Sequence, residues 1–236
     1  MSDDRVKRTH DSIHDNLFKI YLDYGIDVLV KLAAETLHDF GLGEELQAQV
    51  NGEVCEVVLE CLIVDYTLRN KEKCKDWLLY KGLILKERGH LSDSFSTELD
   101  LTLVTPQCIY LFECKSYKGN NTLTGKGVYK NTDVYKQNML HLKTLDTLAK
   151  PFVVKGNLPV YKIALFVFSD GKVEDKRTVD ARTLMPLLSL NNWESVLCKD
   201  DRVVWDMRNL AKLFDKLEKQ SEKLYYEHLN YVKNKH

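Results

Sequence analysis

Between positions 11 and 40, Ile13, Leu17, Ile20, Tyr21, Tyr24, Val28 and Leu32 recur at spacings of one, three or four. That spacing marks one face of a helix, and Gly41 and Gly43 suit its stop. Residues 53 to 68 (EVCEVVLECLIVDYTL) are too densely apolar for a surface helix and predict a mostly buried one, on which Glu56 and Glu60 share a face. A strand follows at Trp77 to Leu85, then a polar stretch (KERGHLSDSFS) that reads as a loop. Leu99 to Thr105 and Cys108 to Lys115 are two β-rich runs separated only by Pro106 and Gln107, the punctuation of a hairpin. After a Gly/Asn-rich loop (KGNNTLTGKG) come a helix near Asp133 to Leu148 and a strand at Tyr161 to Ser169. Helix, strand, hairpin, helix and strand in that order predict an α/β fold with a mixed central sheet flanked by helices.

From Asp206 onward, Leu210, Phe214, Leu217, Ser221, Leu224, His228 and Tyr231 alternate spacings of four and three, a heptad-like stripe. Such a stripe either zips to a second copy, giving a homodimer through the C-terminal helix, or lies against its own domain. Ser221 and His228 at seam positions favour the second. The expected organisation is an N-terminal helical extension over residues 1–50, a core over 51–205 and a C-terminal helix over 206–236.

Composition narrows the class. With 44% apolar and 29% charged residues the chain is globular rather than disordered. Lys plus Arg number 34 and Asp plus Glu 35, a net charge of -1, so a surface for a polyanion has to be local. No apolar run is long enough to span a bilayer, and MSDDRVKRTHD lacks the apolar core of a signal peptide, which predicts a cytoplasmic protein without a membrane partner. The six cysteines form no CxxC pair and read as small core residues.

The hairpin carries the chemistry. If Pro106 and Gln107 form a two-residue connection, opposed residue numbers sum to 213 and Asp100 falls across from Glu113. Opposed side chains on one face lie about 5 Å apart at Cβ, so the two carboxylates can share one divalent cation, and Lys115 projects from the same face. Within apolar strands such a charge cluster is costly unless it is used. Two hard carboxylates completed by water and a substrate phosphate suit Mg²⁺ or Mn²⁺ rather than zinc, and the lysine can orient or help deprotonate an attacking water. A structural reading, strand-end acids neutralised by a lysine, is open on spacing alone.

The surrounding sequence decides between them. TELDLTLVTPQCIYLFECKSYKG resembles the core of the nuclease-related domain (NERD) of the PD-(D/E)xK, or restriction-endonuclease-like, superfamily. GEVCEVVLECL is similar to that family's first helix, with Glu56 at the acidic position. Asp100 takes the Asp position, Glu113 and Lys115 the E-x-K, and Gln137 in VYKQNMLHLKTL the Gln position, over roughly residues 51 to 190. The resemblance implies a restriction-endonuclease-like core and a metal-dependent deoxyribonuclease. In it Asp100, Glu113 and Glu56 hold the metal or its waters, Lys115 activates water and Gln137 helps position the site. A catalytically silent module that binds nucleic acid or mediates assembly is the alternative.

Residues 111 to 150 also carry Lys115, Lys118, Lys126, Lys130, Lys136, Lys143 and Lys150 against Glu113, Asp133 and Asp146. Of these, Lys118, Lys126, Lys130 and Lys136 are the expected phosphate contacts on DNA, RNA not being distinguished by sequence. Tyr117 and Tyr129 flank the loop, placed either to stack on bases or to cover the core, and His141 reads as an ordinary packing or surface histidine.

Overall fold

The computed structural model describes residues 3–38, 41–87, 95–123, 134–155, 161–175, 186–197 and 204–235. It is α/β, with helices α1 (Asp3–Tyr24), α2 (Ile26–Thr36), α3 (Glu44–Arg69) and α4 (Lys71–Cys74) ahead of strands β1 (Leu78–Glu87), β2 (Phe95–Val104), β3 (Ile109–Tyr117) and β4 (Asn121–Leu123). Helix α5 (Val134–Ala149), strands β5 (Val153–Lys155), β6 (Tyr161–Ser169), β7 (Val173–Asp175), β8 (Leu187–Leu188) and β9 (Val204–Trp205), and helix α6 (Met207–Lys235) complete it. A five-stranded sheet of order β1-β2-β3-β6-β8 is mixed: β1, β2 and β3 are antiparallel neighbours, whereas β6 and β8 are parallel. Helices flank the sheet, as the sequence predicts. Among the described residues no helix is long and apolar enough to cross a membrane.

The chain divides into two compact units, and β3 and β6 each contribute residues to both. The first comprises Met1–Lys73, Cys114–Asp133 and Leu165–Trp193. Here α1 and α2 pack on α3, which buries Val54, Cys55, Val57, Val58, Leu59, Cys61 and Ile63, the near-continuous apolar surface its sequence announces. Helix α3 begins at Glu44 and runs through position 50, so the stretch resembling the family's first helix is the middle of a longer rod.

The single helix expected over 11–40 is two. Gly25, at φ 87°, turns the chain between α1 and α2 in a conformation that lacks a Cβ penalty only for glycine. The break also rotates the buried stripe: Leu17 and Tyr21 are followed by Leu29, Ala33 and Leu37, while Tyr24 and Val28 face solvent. Burial and the nearby Asp65 carboxylate push the Tyr21 phenol above its ordinary pKa. In the same unit β4 pairs in parallel with β7, and Ser169 Oγ donates to Gly119 O at 3.2 Å. The described cysteines, Cys55, Cys61, Cys74, Cys108 and Cys114, are buried, as small core residues should be.

The second unit comprises Cys74–Glu113, Val134–Ala164 and Glu194–His236. Its core gathers Tyr80, Leu83, Leu99, Val104, Ile109 and Leu111 from the strands, Leu145 and Ala149 from α5, and Trp205, Leu210, Phe214 and Leu217 around α6. The heptad-like stripe is therefore spent inside its own unit: Leu210 and Phe214 are fully buried and Phe214 stacks on Tyr80 at 5.1 Å. Polar seam residues find partners there too. Ser221 Oγ accepts the Ile84 backbone N–H of the edge strand β1 at 2.7 Å, and His228 Nδ1 meets Ser96 Oγ at 3.0 Å. Tyr80 donates to Asp215 Oδ1 at 2.9 Å, and burial pushes its phenol well above the usual range. Asp206 caps α6, accepting from Asn209 N at 3.1 Å and Asn209 Nδ2 at 2.7 Å, which holds its carboxyl below the ordinary value.

Candidate active site

The hairpin is built from its turn outward. Thr105 N donates to Cys108 O at 3.0 Å, Thr105 Oγ1 donates to the same carbonyl at 2.9 Å, and Cys108 N donates back to Thr105 Oγ1 at 3.0 Å. Pro106 O accepts from Trp205 N at 3.0 Å, so the turn is also tied to the residue that leads into α6. From that anchor the β2–β3 ladder pairs Val104 with Ile109, Leu103 with Tyr110, Thr102 with Leu111 and Leu101 with Phe112. This is the register a two-residue connection dictates. Asp100 and Glu113 are the next residues on their strands, one step beyond the last pair. Alternation puts them on the face of Thr102 and Leu111.

On its other side, Asp100 is passed over as well. The β1–β2 ladder pairs Lys81 with Leu101 and Leu83 with Leu99, skipping the position between them, which β1 fills with Gly82 at φ 60°. A side chain in that left-handed conformation is strained, so the glycine keeps β1 without a Cβ across from the acid.

Glu113 is 1% exposed, whereas Asp100 and Lys115 are half-buried. Lys115 lies two residues beyond Glu113 on β3, and by the pleat its side chain leaves the strand on the same face. The residues of α5 that reach Glu113 are not the expected one. Gln137 is half-buried on that helix, but Asn138 Nδ2 donates to Glu113 Oε2 at 3.4 Å, and His141 Nδ1 stands 3.8 Å from the same oxygen. His141, expected as a packing or surface residue, is a packed one: it is 1% exposed, with Nδ1 near a buried carboxylate. The only sequence signal for the pair was an Asn and a His at i, i+3 interrupting the buried stripe formed by Val134, Leu145 and Ala149.

Thr102 Oγ1 and Asn138 Oδ1 are among the buried polar atoms that have no hydrogen-bond partner among the described residues. Each such group costs about 1–3 kcal/mol. Thr102 shares the face of Asp100 and Glu113, and Asn138 touches Glu113, so these two unmet atoms lie beside the acids. Oxygen donors and unmet polar atoms are the surroundings a hydrated hard cation accepts, since Mg²⁺ is commonly held by one or two carboxylates and keeps several waters. Among the described residues no group of three or more His, Cys, Asp and Glu side chains is arranged to hold a metal, so any such ion would be completed by water and substrate.

The remaining expected site residues are placed as follows. Glu56 is half-buried on α3 in the first unit; of its neighbours, Glu53 is buried and Glu60 pairs with His14 Nε2 at 3.0 Å. Lys118 is exposed just beyond β3. Lys126, Lys130 and Tyr129 lie outside the described residues, as does the side chain of Lys136 on α5. Tyr117 is 1% exposed and covers the core, which removes it as a stacking platform for bases.

Residues 56–168 match the family described as the nuclease-related domain, a span that holds Glu56, Asp100, Glu113, Lys115 and Gln137. No curated protein and no solved structure matches the chain.

Proposed function

We propose, from the match of residues 56–168 to the nuclease-related domain family, that the chain is a divalent-metal-dependent nuclease hydrolysing DNA phosphodiester bonds with low sequence specificity. The observation that carries this reading is the placement of Asp100 and Glu113 one step beyond the last pair of one ladder, on one face, with Lys115 two residues further along β3. Two acids so placed repel each other in a largely buried setting, and a shared Mg²⁺ or Mn²⁺ relieves that repulsion.

Asp100 and Glu113 supply the anionic oxygens, and Glu56 helps hold the cation or its waters. When bound, the cation supplies Lewis acidity toward the phosphoryl group and acidifies water. Lys115 orients the attacking water or takes its proton and balances charge on the phosphate, and Gln137 assists from α5. Lys118, Lys126, Lys130 and Lys136 follow the phosphate backbone, so affinity falls as salt rises. No base-reading helix or zinc-finger motif is legible in the sequence, which supports low specificity and leaves RNA as a second substrate to assay.

A second reading, a silent nuclease-fold module that binds nucleic acid or mediates assembly, is favoured by one observation, the lack of a three-residue metal cluster among the described residues. Incubating the protein with supercoiled plasmid, linear duplex, single-stranded DNA and RNA in Mg²⁺, Mn²⁺ or EDTA separates the two. Metal-dependent cleavage abolished by Asp100→Ala and by Lys115→Ala supports the nuclease. Cleavage surviving either substitution overturns the assignment of that residue, and gel retardation without cleavage supports the silent module.

A further inference from the structure

The buried stripe of α5 contains two residues that packing alone does not call for. Val134, Leu145 and Ala149 are buried apolar positions, yet Asn138 and His141 between them are 2% and 1% exposed. Asn138 is fixed to its own helix, because Nδ2 donates to Val134 O at 3.1 Å as well as to Glu113 Oε2 at 3.4 Å. Both amide hydrogens are thus used, while Oδ1 lacks a partner. A leucine, with the same branching, would suit the helix and an apolar core without an orphaned acceptor. Beyond its bond to Val134 O within the helix, what Asn138 adds that a leucine would not is a donor to Glu113. His141, one turn further along, stands 3.8 Å from the same carboxylate oxygen, so both residues approach Oε2 from the helix side.

We infer that Asn138 and His141 are positioning residues for Glu113: they fix its carboxylate from α5, so that the acid is already ordered before any cation arrives. This rests on the nuclease reading, in which Glu113 is a ligand. The role is distinct from the one assigned to Gln137, whose side chain is the neighbouring one on the helix but is only half-buried. A carboxylate ordered in advance by neighbours within a rigid element binds more tightly than one that must be ordered on binding, and losing such an outer partner typically costs 10–100-fold in metal affinity or activity.

The test is Mn²⁺ binding to the full chain, by calorimetry and by electron paramagnetic resonance without nucleic acid, for wild type, Asn138→Leu, His141→Leu, His141→Gln and Glu113→Gln. Asn138→Leu and His141→Leu are expected to weaken Mn²⁺ binding about 10–100-fold and to raise the Mn²⁺ needed for half-maximal cleavage in parallel. His141→Gln, which retains an N–H donor, restores most of the affinity, and the unfolding temperature of Asn138→Leu is not below that of wild type. Should Asn138→Leu fail to fold, the contrast between His141→Leu and His141→Gln decides alone. Leucine variants that bind Mn²⁺ as tightly as wild type while Glu113→Gln does not would overturn the positioning role and leave the nuclease reading intact. A wild-type protein that binds no Mn²⁺ would sink both.

Discussion

Replacing Glu113 by glutamine separates a carboxylate kept for chemistry from one kept for stability, because the two roles predict opposite signs. The substitution preserves shape at a position that is 1% exposed and removes only the charge. With the register continued by one step, Asp100 and Glu113 stand about 5 Å apart at Cβ, and two charges at that separation repel by about 3 kcal/mol at an effective dielectric of 20. Lys115, about 6.6 Å along the strand, returns about 2.5 kcal/mol by the same arithmetic, so the two charges nearly cancel. Exchanging the charge-assisted bond from Asn138 for a neutral one loses about 1 kcal/mol. Against that stands the cost of keeping an ion out of water, several kcal/mol. The balance is a gain of about 1–3 kcal/mol for Glu113→Gln in the metal-free protein, or an unfolding temperature higher by about 2–12 °C in a domain of this size.

Activity moves the other way. Plasmid cleavage in Mg²⁺ or Mn²⁺ is expected to fall by more than the roughly 10–100-fold that removal of an outer partner causes. The two measurements are thermal unfolding in EDTA, followed by circular dichroism, and relaxation of supercoiled plasmid at saturating metal. A variant that is destabilised by more than about 3 kcal/mol refutes the reasoning, since that is the signature of a broken structural ion pair. So does one that cuts as well as wild type.

Three further expectations concern the frame that holds the acids. Ser221→Ala leaves the buried Ile84 N–H without its acceptor and is expected to cost about 1–3 kcal/mol, with faster amide hydrogen exchange at Ile84; unchanged exchange there counts against the contact. Gly82→Ala puts a Cβ on a residue at φ 60° and is expected to cost about 1–2 kcal/mol, read as a lower unfolding temperature. Asp206 has a folded pKa below its unfolded value, so its contribution to α6 is full above the ordinary carboxylate range near 4 and is lost as pH falls through the lower folded value. The difference in unfolding temperature between wild type and Asp206→Ala should therefore be present at pH 7 and shrink at pH 3 and below.

What could be read from the sequence was whatever repeats over several turns or strand residues. The run from Tyr161 to Ser169 is strand β6 residue for residue, and α5 and α6 begin within one residue of their expected starts. Strands β4, β5, β7, β8 and β9 have two or three residues each, too few for a period of two to register, and they exist through pairing rather than pattern. The division of the first helix failed for a different reason. Gly25 is one residue inside a consistent apolar face, and its left-handed backbone outweighs a stripe that continued, on paper, through Tyr24 and Val28. Asn138 and His141 were illegible because a polar residue on a helix names no partner until the helix is docked. Their meaning comes from Glu113, 25 residues earlier in the chain for Asn138.

The hairpin register was legible because the constraint is local. A two-residue connection leaves one pairing that keeps Leu101 and Leu103 on one face and Thr102 and Val104 on the other, and Thr105 locks it with three hydrogen bonds to Cys108. The same locality explains why the acids sit where they do. Near the turn the shared face is apolar, with Val104 against Ile109, and it becomes polar only toward the far end, at Thr102 and then at Asp100 and Glu113. The apolar pairs beside a pinned turn make the short hairpin stiff, and the charges are carried one step past its last pair, where no ladder partner competes for them. Stability and chemistry thus occupy opposite ends of one face, and a substitution at Val104 or Ile109 should disturb the placement of both carboxylates without touching either.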